Sequence, residues 1–169
     1  MCGIVGYVGD KQCGDILIDG LRRLEYRGYD SAGVAIFDGS AVRRVVAAGK
    51  LRELERRYAA DVIPGTVGIA HTRWATHGAP VERNAHPHQV GSITLVHNGI
   101  IENYSELREE LTREGAVFTS ETDTEVVAHL VAHAVGRTAT LRDAVVDALA
   151  RVRGSYALVV LDANRPDQL

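Results

Sequence analysis

The sequence predicts an α+β fold in which antiparallel or mixed sheets are covered by helices. Three observations point there. Two β-rich runs, "SAGVAIFDG" and "AVRRVVAAG", are joined through Asp38-Gly39, a hairpin signal. Three helical patterns follow one another from "YSELREELTREG" onward with no strand pattern between them. No G-x-G-x-x-G or G-x-x-x-x-G-K-[ST] motif is present, and strands and helices do not alternate strictly. A doubly wound nucleotide-binding sheet is therefore disfavoured.

The elements read in order as follows. "GIVGYVG" is a short buried strand. "GDILIDGLRRLEY" carries Ile16, Leu17, Leu21 and Leu24 at helical spacing, with Arg22, Arg23 and Glu25 on the other side. After the hairpin, "LRELERRYAADV" reads as a charged amphipathic helix, and "TVGIAHTRW" and "SITLVHNGI" as buried strands. Asn103 with Glu106, and Thr122 with Glu125, have the spacing of capping boxes. The first would open "YSELREELTREG", stopped by Gly115; the second would open "DTEVVAHLVAHAV". "LRDAVVDALARVRG" is a third helix ending at Gly154, and "SYALVVLDA" a last strand.

A chain of 169 residues can bury one real core. Its net charge of −3 predicts no affinity for nucleic acid or acidic membranes. No apolar run is long enough to cross a bilayer, and no basic region precedes the N-terminal apolar stretch. A soluble cytoplasmic protein is expected. Cys2 and Cys13 do not form a metal-type pair, and a disulfide is not expected in a reducing compartment. "NYS" at Asn103 matches a glycosylation sequon, which without a secretory signal reads as chance. No repeat or linker divides the chain.

Four stretches could carry chemistry. Cys2 follows the initiator methionine, and its small side chain predicts removal of Met1. The thiol would then share its residue with a free α-amine. These groups titrate near ~8.5 and ~8, so the amine can take the thiol proton and later return it. The alternative is a buried structural cysteine. In "HTRWATHG" the Arg73 fork suits a carboxylate and Trp74 could cover a pocket. The alternative there is a surface Arg beside a core Trp. "VHNGI" is either a turn or a pair of donors, the Asn98 amide and the Gly99 N–H, aimed at a developing oxyanion. In "SETDTE", Asp123 either complements a helix dipole or faces an ammonium group. Five of seven histidines fall between His71 and His97. Neither an H-E-x-x-H motif nor an i,i+4 histidine pair occurs there, and His129 with His133 reads as a helix face. No metal and no cofactor is expected.

Together, "MCGIVGYVG", "LRRLEYRGYDSAG", "AHTRWATHG", "NAHPH", "VHNGIIENY" and "SETDTEVVAHL" resemble the glutaminase domain of the glucosamine-6-phosphate synthase family, a branch of the class II glutamine amidotransferases. The resemblance runs from Met1 to about Asp162. It implies an N-terminal nucleophile hydrolase fold, a four-layer αββα sandwich of antiparallel sheets, and places residues 1–169 in a glutaminase domain incomplete at its C-terminus, with the sugar-phosphate isomerase domains absent. It implies that Cys2 attacks the side-chain amide of L-glutamine through a thioester, and that Asn98 and Gly99 hold the oxyanion. Arg73, with Thr76 and His77, would bind the α-carboxylate. Asp123 would bind the α-ammonium, and Trp74 would lie on a mobile loop over the site. Arg27 and His86 would be supporting residues. Fructose 6-phosphate would be met only through the absent domain, and the full-length enzyme is expected to be a homo-oligomer. The other readings are a class II amidotransferase serving another acceptor, a non-catalytic domain that keeps the fold, and a histidine metal site. Because the last strand stands near the chain end, the 169 residues alone are expected to be unstable or aggregation-prone, with little glutaminase activity.

Overall fold

The central strands are buried almost continuously, on both faces, and the architecture follows from covering both. The computed structural model describes residues 2–169. One sheet holds β1 (Gly3–Val8), β2 (Ser31–Phe37), β3 (Val42–Ala48) and β4 (Val67–Arg73) in the order β1-β4-β2-β3. The other holds β5 (His88–Val90), β6 (Ile93–Ile101) and β7 (Gly154–Asp162) in the order β5-β6-β7. Every pairing is antiparallel.

On β2, Val34 and Ile36 face Leu17 and Leu21 of α1 (Cys13–Leu24) and Leu54 of α2 (Leu51–Ala60). On β6, Ile93, Leu95 and Ile101 face three helices, α3 (Tyr104–Arg113), α4 (Thr124–Val135) and α5 (Leu141–Leu149). Between the sheets, Ala35 and Ile69 meet Val96 and Leu161. The result is the four-layer αββα sandwich of antiparallel sheets that the family resemblance implies. Each fully buried Leu or Ile stabilises it by about 1.5–3 kcal/mol. Among the described residues, no helix is long and apolar enough to cross a membrane.

Several local expectations are corrected. β1 is a sheet edge and is only half-buried, with Gly6 and Val8 exposed, because no strand covers its outer side. Neither expected capping box forms. The Asn103 amide instead bonds across to the Arg151 carbonyl and the Arg153 N–H, which ties the start of α3 to the approach of β7. At α4 the capping position falls on Asp123, not Thr122. Glu125 turns back to accept from the N–H and hydroxyl groups of Thr119 and Ser120. Burial works to raise the Glu125 pKa, but these four donors outweigh it and the net shift is downward. A side-chain cap does form at α5, where the Thr140 hydroxyl accepts from the Asp143 N–H at 3.0 Å. That helix stops at Leu149, before Gly154. The three-residue β5 was not anticipated, being too short to show a period.

Among the described residues the second sheet ends at β7, whose outer edge is unpaired. Beside it lies a cleft of about 870 Å³ lined mainly by Val145, Val146 and Leu149 of α5 and by Tyr156, Leu158 and Val160 of β7. An open strand edge beside an apolar cleft is a template for association. The 169-residue chain is predicted to self-associate at micromolar concentration. Val146→Glu, on a side chain already 60% exposed, should reduce light scattering while shifting the melting temperature by only a few degrees. A wild-type chain that stays monomeric across a concentration series would contradict this.

Candidate functional site

The two sheets meet at Cys2. The β1–β4 register sets Gly3 opposite Thr72, so Cys2 falls beside the Arg73–Trp74 end of β4. The Trp74 N–H donates to Cys2 Sγ at 3.3 Å. The backbone nitrogen of Cys2 donates to Asn98 Oδ1 at 3.1 Å, reaching from the edge of one sheet to the middle strand of the other. That bond leaves Asn98 Nδ2 free to donate elsewhere. Burial pushes the Cys2 thiol above its ordinary range, and the Trp74 hydrogen bond and the Arg73 charge oppose this without cancelling it. At neutral pH the sulfur is a thiol, and a proton acceptor is needed to make it nucleophilic.

Asn98-Gly99 does not turn the chain. β6 runs through it, with Gly99 opposite Tyr156. Gly99 sits at φ +146°, and a Cβ there would lie 2.1 Å from the Ser155 carbonyl oxygen. Only glycine fits so close to β7.

Arg73 is 3% exposed at the end of β4. Its guanidinium donates to three carbonyls of the following loop, Ala79 at 3.2 Å, Gly78 at 3.1 Å, and His77. The same loop is held from the other side by Asp30, whose carboxylate accepts from the Ala75 N–H at 2.8 Å. Asp30 lies inside "LEYRGYDSAG", but nothing in its spacing announced this contact. Trp74 is exposed and sets its ring edge-on to Tyr29 at 5.5 Å. Thr76 lies 3.3 Å from His77 Nδ1, and His77 lies 4.0 Å from an Asp123 oxygen. Asp123 is buried; its Oδ2 accepts from the Ile101 N–H at 3.0 Å and its Oδ1 stands 4.0 Å from His97 Nδ1.

A narrow pocket therefore gathers Cys2, Arg73, Trp74, Thr76, His77, His86, Gly99 and Asp123. Asn98 adjoins it through Cys2. Arg27 is not brought in: it lies in a 3₁₀ turn, Glu25–Arg27, and bonds to the Tyr26 hydroxyl. The roomier cleft beside β7 shares none of these residues.

Beneath the pocket lie four buried histidines. His71 stacks on His86 at 4.2 Å, and His88 meets His86 edge-on at 4.6 Å. His71 Nε2 lies 2.9 Å from the His97 carbonyl, so it must carry a hydrogen. Burial drives His71 and His88 down to about 3 and His86 well below the usual histidine range. Burial also lowers His97, although the Asp123 charge opposes it. The rings are neutral and packed together, and among the described residues no group of three or more His, Cys, Asp or Glu is arranged to hold a metal ion.

Residues 71–169 match the glutamine amidotransferase domain family. The chain belongs to that family. As such a domain it is 57% identical over 169 residues to the glutamine–fructose-6-phosphate aminotransferase (isomerizing) of Agrobacterium fabrum, covering all of this chain and 28% of that protein. The enzyme of the same name from Acinetobacter baylyi is 54% identical with the same coverage. The chain thus spans about 28% of the length of these curated relatives. Among solved structures, the glutamine phosphoribosylpyrophosphate amidotransferase of B. subtilis superposes with a TM-score of 0.83 at 28% identity, covering 96% of this chain and 35% of that one. These amidotransferase likenesses and the αββα layering establish the N-terminal nucleophile hydrolase fold.

The buried histidines predict acid lability. A histidine whose folded pKa lies below its unfolded value stabilises the protein fully only above the unfolded pKa near ~6.5, and that stability is lost as pH falls. His71, His86 and His88 should each remove on the order of 1 kcal/mol between pH ~6.5 and ~5.5, before most carboxylates titrate. Unfolding free energies from denaturant titrations at those two pH values should differ by about 3 kcal/mol in total. A flat profile across that window would show that the cluster protonates without cost.

Proposed function

We propose that the chain hydrolyses the side-chain amide of L-glutamine with Cys2 as nucleophile. We further propose that it is the partial glutaminase domain of a longer enzyme, which uses the ammonia to convert fructose 6-phosphate to glucosamine 6-phosphate. The observation that carries the reading is the 3.1 Å bond from the Cys2 backbone nitrogen to Asn98 Oδ1. Met1 lies outside the described residues. Its removal turns that nitrogen into a free α-amine already held beside the thiol.

The amine takes the thiol proton, and the sulfur adds to the amide carbon as the carbonyl pair moves onto oxygen. Asn98 Nδ2 and the Gly99 N–H donate to that oxygen. The ammonium returns the proton to the leaving nitrogen, the C–N bond breaks, and ammonia departs. Water, deprotonated by the same amine, then cleaves the γ-glutamyl thioester to glutamate and restores the thiol. Arg73, with Thr76 and His77, takes the α-carboxylate and Asp123 the α-ammonium. Trp74 covers the substrate. His86 supports the floor of the pocket.

The acceptor rests on the relatives' names. Those at 54–57% identity are fructose-6-phosphate enzymes, while the phosphoribosylpyrophosphate enzyme is 28% identical. The acceptor chemistry would lie outside this chain. Cytoplasmic placement belongs to the same proposal and rests on the metabolic roles those names describe.

The test is glutamate release by the gene product that carries this chain. Cys2→Ala should abolish it, by at least about 10³-fold. Arg73→Lys keeps the charge but loses the fork, and should raise KM for glutamine about 10- to 100-fold, the equivalent of about 1.5–3 kcal/mol. Intact mass of active protein should lack Met1. Retention of Met1 in protein that still turns over glutamine would rule out the α-amine as base.

A further inference from the structure

Asp123 and Asn98 stand on different elements, α4 and β6, and something must fix one against the other. Their immediate neighbours in sequence do so. Thr124 Oγ1 lies 2.8 Å from His97 Nδ1 and 2.7 Å from His86 Nε2. Thr124 is fully buried and is the first residue of α4; His97 precedes Asn98 on β6. We propose that Thr124 is a positioning residue, whose hydroxyl locks α4 to β6 and so fixes the Asp123 carboxylate over the site.

Proton counting supports an ordered bridge. A hydroxyl has one hydrogen, so it can donate to only one of two neighbouring ring nitrogens. At least one imidazole must donate to it. Asp123 Oδ1 lies 4.0 Å from His97 Nδ1 and favours a hydrogen on that nitrogen. His97 therefore donates to Thr124, and Thr124 donates to His86 Nε2. Each neutral ring then has its single hydrogen placed: on Nδ1 in His97 and on Nδ1 in His86. This order leaves His97 Nε2 as a buried bare acceptor and the His86 Nδ1 hydrogen as a buried donor, neither bonded to another protein atom among the described residues. His71 braces the same strand through the His97 carbonyl at 2.9 Å. Among the described residues, the Ile101 N–H supplies the one hydrogen bond to the Asp123 carboxylate.

The consequence for substrate rests on the reading that Asp123 binds the glutamine ammonium. The experiment separates the two. Thr124→Val keeps the shape and removes the hydroxyl; Thr124→Ser restores it. Amide hydrogen exchange at Ile101, whose N–H bonds Asp123, reports carboxylate position without any catalysis. Thr124→Val should speed Ile101 exchange at least about tenfold relative to Leu95 in the same strand, and Thr124→Ser should reverse this. For glutamine hydrolysis by the intact gene product, Thr124→Val should raise KM about tenfold with kcat within about threefold, and should add little to Asp123→Asn in the double variant. Unchanged Ile101 exchange, exchange that rises equally at Leu95, or failure of Thr124→Ser to rescue would each overturn the positioning role. If exchange responds but wild type does not hydrolyse glutamine, or Asp123→Asn leaves KM unchanged, the positioning stands and the glutamine reading falls.

Discussion

The hydrogen bond from the Cys2 nitrogen to Asn98 Oδ1 is the constraint around which the rest of the structure is arranged. In energy it is modest, about 0.5–1.5 kcal/mol for neutral partners. Its importance is geometric. It requires an edge strand of one sheet and the central strand of the other to present their residues at one point. β4 sets the first, through a register running from Gly3–Thr72 to Val8–Val67. β7 sets the second, through pairing along the whole of β6. On the reading proposed for this chain, removal of Met1 adds a positive charge to the same nitrogen. The bond then becomes charge-assisted, worth about 1.5–3 kcal/mol, and the amine is held beside the thiol it serves.

The layer between the sheets changes character along its length. Around Ala35, Ile69, Val96 and Leu161 it is apolar. Toward Cys2 it becomes imidazole and hydroxyl. Among the described residues, His71 Nδ1, His86 Nδ1 and His97 Nε2 are buried and bond to no protein atom, and burying polar atoms costs more than burying apolar ones. A wholly apolar filling would be more stable. The two outer cores, under α1–α2 and under α3–α5, offset that cost. Apolar stabilisation is thus concentrated away from the site, and buried polar groups near it, as expected where a pocket needs polar walls.

How much of this was legible follows from the range of each signal. The strands, the Asp38-Gly39 hairpin and the helix cores were readable because alternation and helical period are local. The Asp38 carboxylate even accepts from the Ser40 and Ala41 N–H groups, as an Asx turn should. Capping was less legible. Thr122 and Glu125 have the right spacing, yet Glu125 serves Thr119 and Ser120 instead, and spacing cannot say which donors a carboxylate will find. The pocket members came from motifs and resemblance rather than pattern. The bridge at Thr124 was illegible, because its partners lie 27 and 38 positions away. The histidine surplus was visible in the sequence. That the rings would be buried together and neutral required the fold.

Arg73 illustrates why motif residues resist assignment to a single task. A guanidinium has five N–H donors. Three are engaged by the carbonyls of His77, Gly78 and Ala79, so the side chain first holds the loop that follows β4. Two donors are left, Nε and one on Nη1; they do not share an edge of the guanidinium, so each is free for a single contact. A lysine could satisfy the loop or the ligand but has no planar fork with which to serve both. Asp30 holds the loop at Ala75 from the opposite side, so Trp74 is pinned at its backbone while its ring remains exposed. The Trp74 N–H is also the group that touches Cys2 Sγ. One loop therefore connects the thiol, the exposed ring and the cation, and it is fixed by the side chain proposed to read the substrate. A change at Arg73 consequently acts at the sulfur as well as at the carboxylate, without any contact between the two ligating ends.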